Sequence, residues 1–234
     1  VAAVTATPPG PGTTNTRTLL TLVAIFIAVA LLWDTMLVTP LKIVVVLLHE
    51  LSHGMAAVIT GGSIDHIEVN AQQGGVCWTS GGNRFLTLTA GYLGSMTWGG
   101  LILVGASRTR FDRHMSAAIG LFVVVMTVFY VRNMFGFVFS LGFGLAMLAI
   151  SRWMSEQFND LLLKVIGLTS CLYAILDIVD DVLKRPGIGS DADMLAELTH
   201  IPTLVWGVVW VVAAVAVAAV FLKLSSPGES AVRR

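Results

Sequence analysis

Charge is scarce in this chain. Asp, Glu, Lys and Arg make up 12% of its 234 residues, where a soluble domain carries about a quarter. The 14 basic and 14 acidic side chains cancel to a formal net charge of zero, and no basic stripe interleaved with aromatics appears. Neither feature suggests a nucleic-acid partner. Cysteine is scarcer still. Cys77 and Cys171 are too few for a disulfide framework or a cysteine zinc cluster. What is abundant is apolar: 56% of the residues are hydrophobic, and the mean hydropathy is +0.83. That composition points to an integral membrane protein.

Apolar runs of about 17–25 residues mark candidate spans, because the bilayer core is about 30 Å thick and a helix rises about 1.5 Å per residue. Seven such runs are present, at 18–38, 41–60, 86–106, 115–131, 134–151, 161–181 and 202–222. The fourth and fifth are separated only by Arg132 and Asn133, which predicts a tight helical hairpin. Before them, VAAVTATPPGPGTTNT is rich in Pro, Thr and Gly and reads as a disordered tail. A cleaved signal peptide competes for the first run, but apolar residues continue through Leu32 and resume at Met36, as in a spanning helix. Between the second and third runs, glycine pairs bracket two short extended segments, IDHIEV and GVCWT, the pattern of a β-hairpin. The expected fold is an all-α integral membrane protein. It is a polytopic bundle of about six or seven transmembrane helices with a short β-hairpin or re-entrant loop after the second. The expected organisation is a tail over 1–17, one membrane-embedded domain over 18–222 and a C-terminal tail over 223–234. Counting Lys and Arg on the two sides places the N-terminus outside.

The second run contains HELSH. His49 and His53 are four apart, so they share one helix face, and two imidazoles at that spacing can grip one zinc ion. Glu50 lies beside the pair, placed to take a proton from a metal-bound water. A span beginning near Leu41 puts the histidines about 12 and 18 Å along it, near mid-bilayer. A charged residue there costs about 2.5–3.5 kcal/mol on the lenient insertion scale. The bland alternative is that the three merely hydrogen-bond to neighbouring helices.

Zinc needs a third protein ligand. Ala56 and Ile59 stand where a soluble HExxHxxGxxH enzyme would have Gly and His, so the donor must come from another span. LYAILDIVDDVLKRPG offers Asp177, Asp180 and Asp181 on one face. Asp180 and Asp181 have ion-pair partners four residues on, at Lys184 and Arg185. Asp177 lies one turn deeper with no base four residues away, and is the preferred ligand. Asp191 and Asp181 are the alternatives. At Asp191 the competing explanation is helix capping, because Ser190 and Asp193 form a capping-box pattern. His200 reads as interfacial, His66 and His114 as solvated, and Glu68 as a remote candidate. Gly91, Ser95 and Gly99 repeat every four residues in the third run, a small-residue stripe for helix packing.

These residues resemble the site-2 protease family of intramembrane zinc metalloproteases, and particularly its smaller M50B-like relatives. HELSH resembles the family's first motif. The segment 61–83 occupies the place of its re-entrant hairpin, and AGYLGS, 90–95, that of an Ala-Gly-Pro segment ending in Asn. ILDIVDD, 175–181, corresponds to the Leu-Asp-Gly motif that supplies the third ligand, and SDADMLAELT is similar to a segment of the smaller relatives. Asp177 lacks the following Gly, and Tyr92 replaces the Pro. The resemblance implies a multi-pass metalloendopeptidase of the bacterial plasma membrane. Its cofactor would be Zn2+, held by His49, His53 and Asp177, its general base Glu50, and its substrate a membrane-spanning helix. A non-catalytic scaffold that keeps the metal site, or a metal or small-molecule transporter, are the rival functions.

Overall fold

The structure is a computed structural model that describes residues 16–184, 187 and 189–225. Most of the expected N-terminal tail, and the C-terminal tail beyond Ser225, lie outside those residues. Among the described residues the chain forms eight α-helices and one hairpin. The helices are α1 (Thr16–Leu31), α2 (Thr39–Ile59), α3 (Arg84–Arg108), α4 (Asp112–Tyr130), α5 (Met134–Trp153), α6 (Glu156–Val179), α7 (Asp191–Thr199) and α8 (Thr203–Ser225). Strands β1 (Ser63–Val69) and β2 (Gly75–Ser80) follow α2. Five helices, α2, α4, α5, α6 and α8, are long and apolar enough to cross a membrane. This is an all-α polytopic membrane protein with a small antiparallel sheet.

Two of the expected spans differ in form. The first stops at Leu31 rather than running to Val38. The Thr35 hydroxyl donates to the Leu32 carbonyl and closes a turn. Pro40, which has no N–H to give, then opens α2. The third, α3, has 25 residues but is diluted by Thr, Gly and Ser. Those residues face inward: Thr87, Gly91, Ser95 and Gly99 are all buried. They make α3 the central helix, packed on α2, α6 and α8. At Gly99 a Cβ would stand 2.5 Å from Ser170 Cβ and 2.9 Å from the Gly167 carbonyl oxygen, while the Ser170 hydroxyl donates to the Ser95 carbonyl at 2.7 Å. Only a residue without a side chain lets α3 and α6 approach this closely.

The hairpin pairs Ile67 with Cys77 and Val69 with Gly75. It folds back along α2 instead of standing above it. A Cβ at Gly82 would meet the Ala57 carbonyl, one at Gly54 would meet Ile64 and Cys77 Sγ, and one at Gly75 would meet Glu50 and Val46. The tip of the hairpin therefore reaches the level of Glu50. Ile67 and Val69 join Val46, Leu47, Leu51 and Val131 in one buried cluster, which supplies the apolar surface that holds the hairpin in place. The outer edge of β1 meets the α4–α5 turn, where Ile67 bridges to Val131 and the Arg132 N–H donates to the Ile67 carbonyl at 3.0 Å.

Candidate metal centre

One turn of α2 presents His49 and His53 side by side, with ring centroids 4.8 Å apart. His53 Nδ1 donates to the Thr87 carbonyl of α3 at 2.7 Å, which fixes the ring and leaves Nε2 facing the centre. Asp191, from α7, completes the group. Its Oδ2 lies 3.0 Å from His49 Nε2 and 3.1 Å from His53 Nε2. Among the described residues, these three are the one set whose ligand atoms all lie within 4.8 Å of each other and could hold a metal ion.

The donors fit zinc in kind and in spacing. Two imidazoles and one carboxylate are a catalytic zinc set, and ligands about 2.0–2.1 Å from a tetrahedral ion stand roughly 3.3 Å apart. The ground beneath them is shaped for convergence. A Cβ on Gly91 would fall 2.4 Å from His49 Nε2, 2.5 Å from His53 Cε1 and 2.6 Å from Asp191 Oδ2. Any other residue at 91 would push the donors apart.

Asp191 is aimed by its neighbours. The Ser190 hydroxyl accepts from the Asp193 N–H, and the Asp193 carboxylate reaches back to the Ser190 N–H, so a capping box starts α7. The same carboxylate accepts from the N–H groups of Gly187 and Gly189, and from the Thr203 hydroxyl at the start of α8. This knot fixes the first turn of α7, where a carboxylate is favoured by the helix dipole, and turns Asp191 inward to 7% exposure. Burial alone would raise the Asp191 carboxyl. The two imidazoles outweigh it and hold the group well below the usual carboxylate range. Capping and metal ligation, which compete in the sequence, are here divided between Asp193 and Asp191.

Glu50 is 5% exposed and faces β2. The Gly75 position touches it closely enough that a Cβ there would lie 2.6 Å from Oε1. In front of these groups opens a cavity of about 850 Å³. Its walls include β2, the start of α3, the end of α6 and the start of α7. Burial, and secondarily the Glu50 charge, push the Cys77 thiol up to about 12.

The third member of this group is Asp191, one of the two expected alternatives, rather than the preferred Asp177. Asp177 and Asp181 line the same cavity, but neither belongs to the donor group, whose third corner is Asp191. Tyr92 stands between His49 and Asp181. Its ring meets His49 edge-on at 5.0 Å between centroids, and its hydroxyl donates to Asp181 Oδ2 at 2.5 Å. Asp180 and Asp181 sit in a π turn that continues α6 through Lys184. Their expected pairs with Lys184 and Arg185 involve side chains outside the described set. His66 stacks on Trp78 and lies 3.6 Å from Glu68. His114 packs against Phe111, and His200 closes α7 in the left-handed conformation. None of these joins the centre. Thr87, which touches His53, lies about 31 Å from the far end of α3 at the helical rise. The centre therefore sits at the N-terminal end of α3.

The fold and the site together define a helical membrane protein with a His-His-Asp group that could hold a metal ion beside a buried glutamate. Residues 22–221 match the family described as Peptidase M50B-like, and the chain belongs to that family. No curated protein and no solved structure matches it.

Proposed function

We propose that the protein is an intramembrane zinc metalloprotease that cleaves membrane-spanning helices. The observation that carries this reading is the meeting of one carboxylate, Asp191, with both HELSH histidines, beside Glu50 and at the wall of an open cavity. His49, His53 and Asp191 would hold Zn2+. When bound, zinc supplies Lewis acidity and lowers the pKa of its water toward about 7. Glu50 accepts the proton of the attacking water and delivers it to the leaving amine. Thr87 holds His53 in the tautomer that ligates, and Gly91 keeps the three donors together.

The substrate is a transmembrane helix, locally unwound, because a helical peptide bond is shielded by its own hydrogen bonds. β1 is covered on its outer side by the α4–α5 turn, whereas Gly75–Thr79 of β2 line the cavity. The open edge of β2 can take an unwound strand by main-chain pairing. Residues 18–222 act as one membrane-embedded unit, placed in a bacterial plasma membrane.

Glu50→Gln tests the proposal. Cleavage of a synthetic transmembrane peptide in detergent should fall about 10²–10⁴-fold, the usual worth of a general base, with zinc content unchanged. A variant that cleaves as well as the wild type refutes the proposal.

A further inference from the structure

Asn133 occupies the N-cap of α5, where an Asn side chain ordinarily accepts from its own helix. Here it makes no such bond. Instead its Nδ2 donates to the Val69 carbonyl at 2.6 Å, and its Oδ1 accepts from the Val69 N–H at 3.1 Å. One amide thus copies the two-way pairing of a neighbouring strand. With the Arg132 N–H on the Ile67 carbonyl, residues 131–133 satisfy the outer edge of β1 at its deep end.

Two further observations say that this contact is built. Gly136 makes room for it: a Cβ at 136 would lie 2.4 Å from Asn133 Oδ1 and 3.1 Å from the Val69 nitrogen. Val69 is also the residue paired with Gly75, and Gly75 rests on Glu50 and Val46. A continuous line of contacts therefore runs from Asn133 through Val69 and Gly75 to Glu50.

We infer that Asn133 is a positioning residue for the reaction: it sets how deeply the re-entrant hairpin docks, and it closes the edge of β1 so that β2 alone is open to a substrate strand. The substrate half of this inference rests on the protease reading; the docking half does not. Asn133 touches neither the donors nor Glu50. It acts through the register of the hairpin, with Gly136 as the space its side chain needs.

Cys77, on β2 against α2, is a built-in probe. In full-length protein in detergent, Asn133→Ala should speed N-ethylmaleimide alkylation of Cys77 by about tenfold to a hundredfold, the scale of two lost hydrogen bonds. Zinc should stay at wild-type stoichiometry, and the KM for a synthetic transmembrane peptide should rise more than kcat falls. Gly136→Ala leaves Asn133 in place but crowds its Oδ1, and should give the same result if Asn133→Ala does not fold. Wild-type protection of Cys77 in either folded variant overturns the inference. So does zinc loss alongside exposure, which would make Asn133 a general fold residue. Faster alkylation with an unchanged KM overturns the substrate half. Failure of the protease reading shows separately, as cleavage that persists in Glu50→Gln.

Discussion

Gly91 has no side chain, and three side chains depend on that. Replacing it with Ala drives a methyl among His49 Nε2, His53 Cε1 and Asp191 Oδ2. Gly91→Ala should weaken zinc binding by at least about tenfold, the lower end of what disturbed ligand support costs, with helical circular dichroism retained. Competition against a zinc chelator measures this. Gly99→Ala should do the reverse, costing about 1–3 kcal/mol of stability through overpacking of α3 on α6 while zinc binding is kept. In the sequence the two glycines look alike, as members of one four-residue repeat. Periodicity shows that a face is small, not what it faces. The same limit explains Asp191. The i,i+4 bookkeeping on α6 singles out Asp177 because no base stands four residues before or after it in the sequence. It cannot see that a nine-residue helix folds back over the site and delivers a different one. The capping pattern at Ser190 and Asp193 was the legible part, and it fixes where that helix begins.

At the scale of elements, the hairpin was readable from its bracketing glycines and its alternation. Its direction was not. Strand patterns carry no information on whether a hairpin rises from a helix end or lies back along it, and the fit of Gly54, Gly75 and Gly82 against the hairpin–α2 interface decides the matter. Cys77 reports on this packing. Its thiol is raised to about 12 by burial and then by the Glu50 charge, so the neutral form is favoured in the fold. At pH 8 its thiolate population is then far below that of an exposed cysteine. Alkylation should be slower than for a free thiol by about tenfold or more, and should keep accelerating with pH where a free thiol levels off. Peptide mass spectrometry after timed alkylation checks this. Reaction at the rate of free cysteine would mean that the hairpin does not dock on α2.

For the molecule as a whole, the long apolar runs located the helices, and five of the seven coincide with helices long and apolar enough to cross a membrane. The first run misled by joining α1 to the non-helical segment before Pro40. The central claim is a single zinc ion held by His49, His53 and Asp191. Elemental analysis of purified wild-type protein and of the Asp191→Ala and Asp177→Ala variants tests it most directly. One zinc per chain in the wild type and in Asp177→Ala, with loss in Asp191→Ala, is the predicted result. Zinc absent from the wild type, or kept by Asp191→Ala and lost from Asp177→Ala, would contradict it.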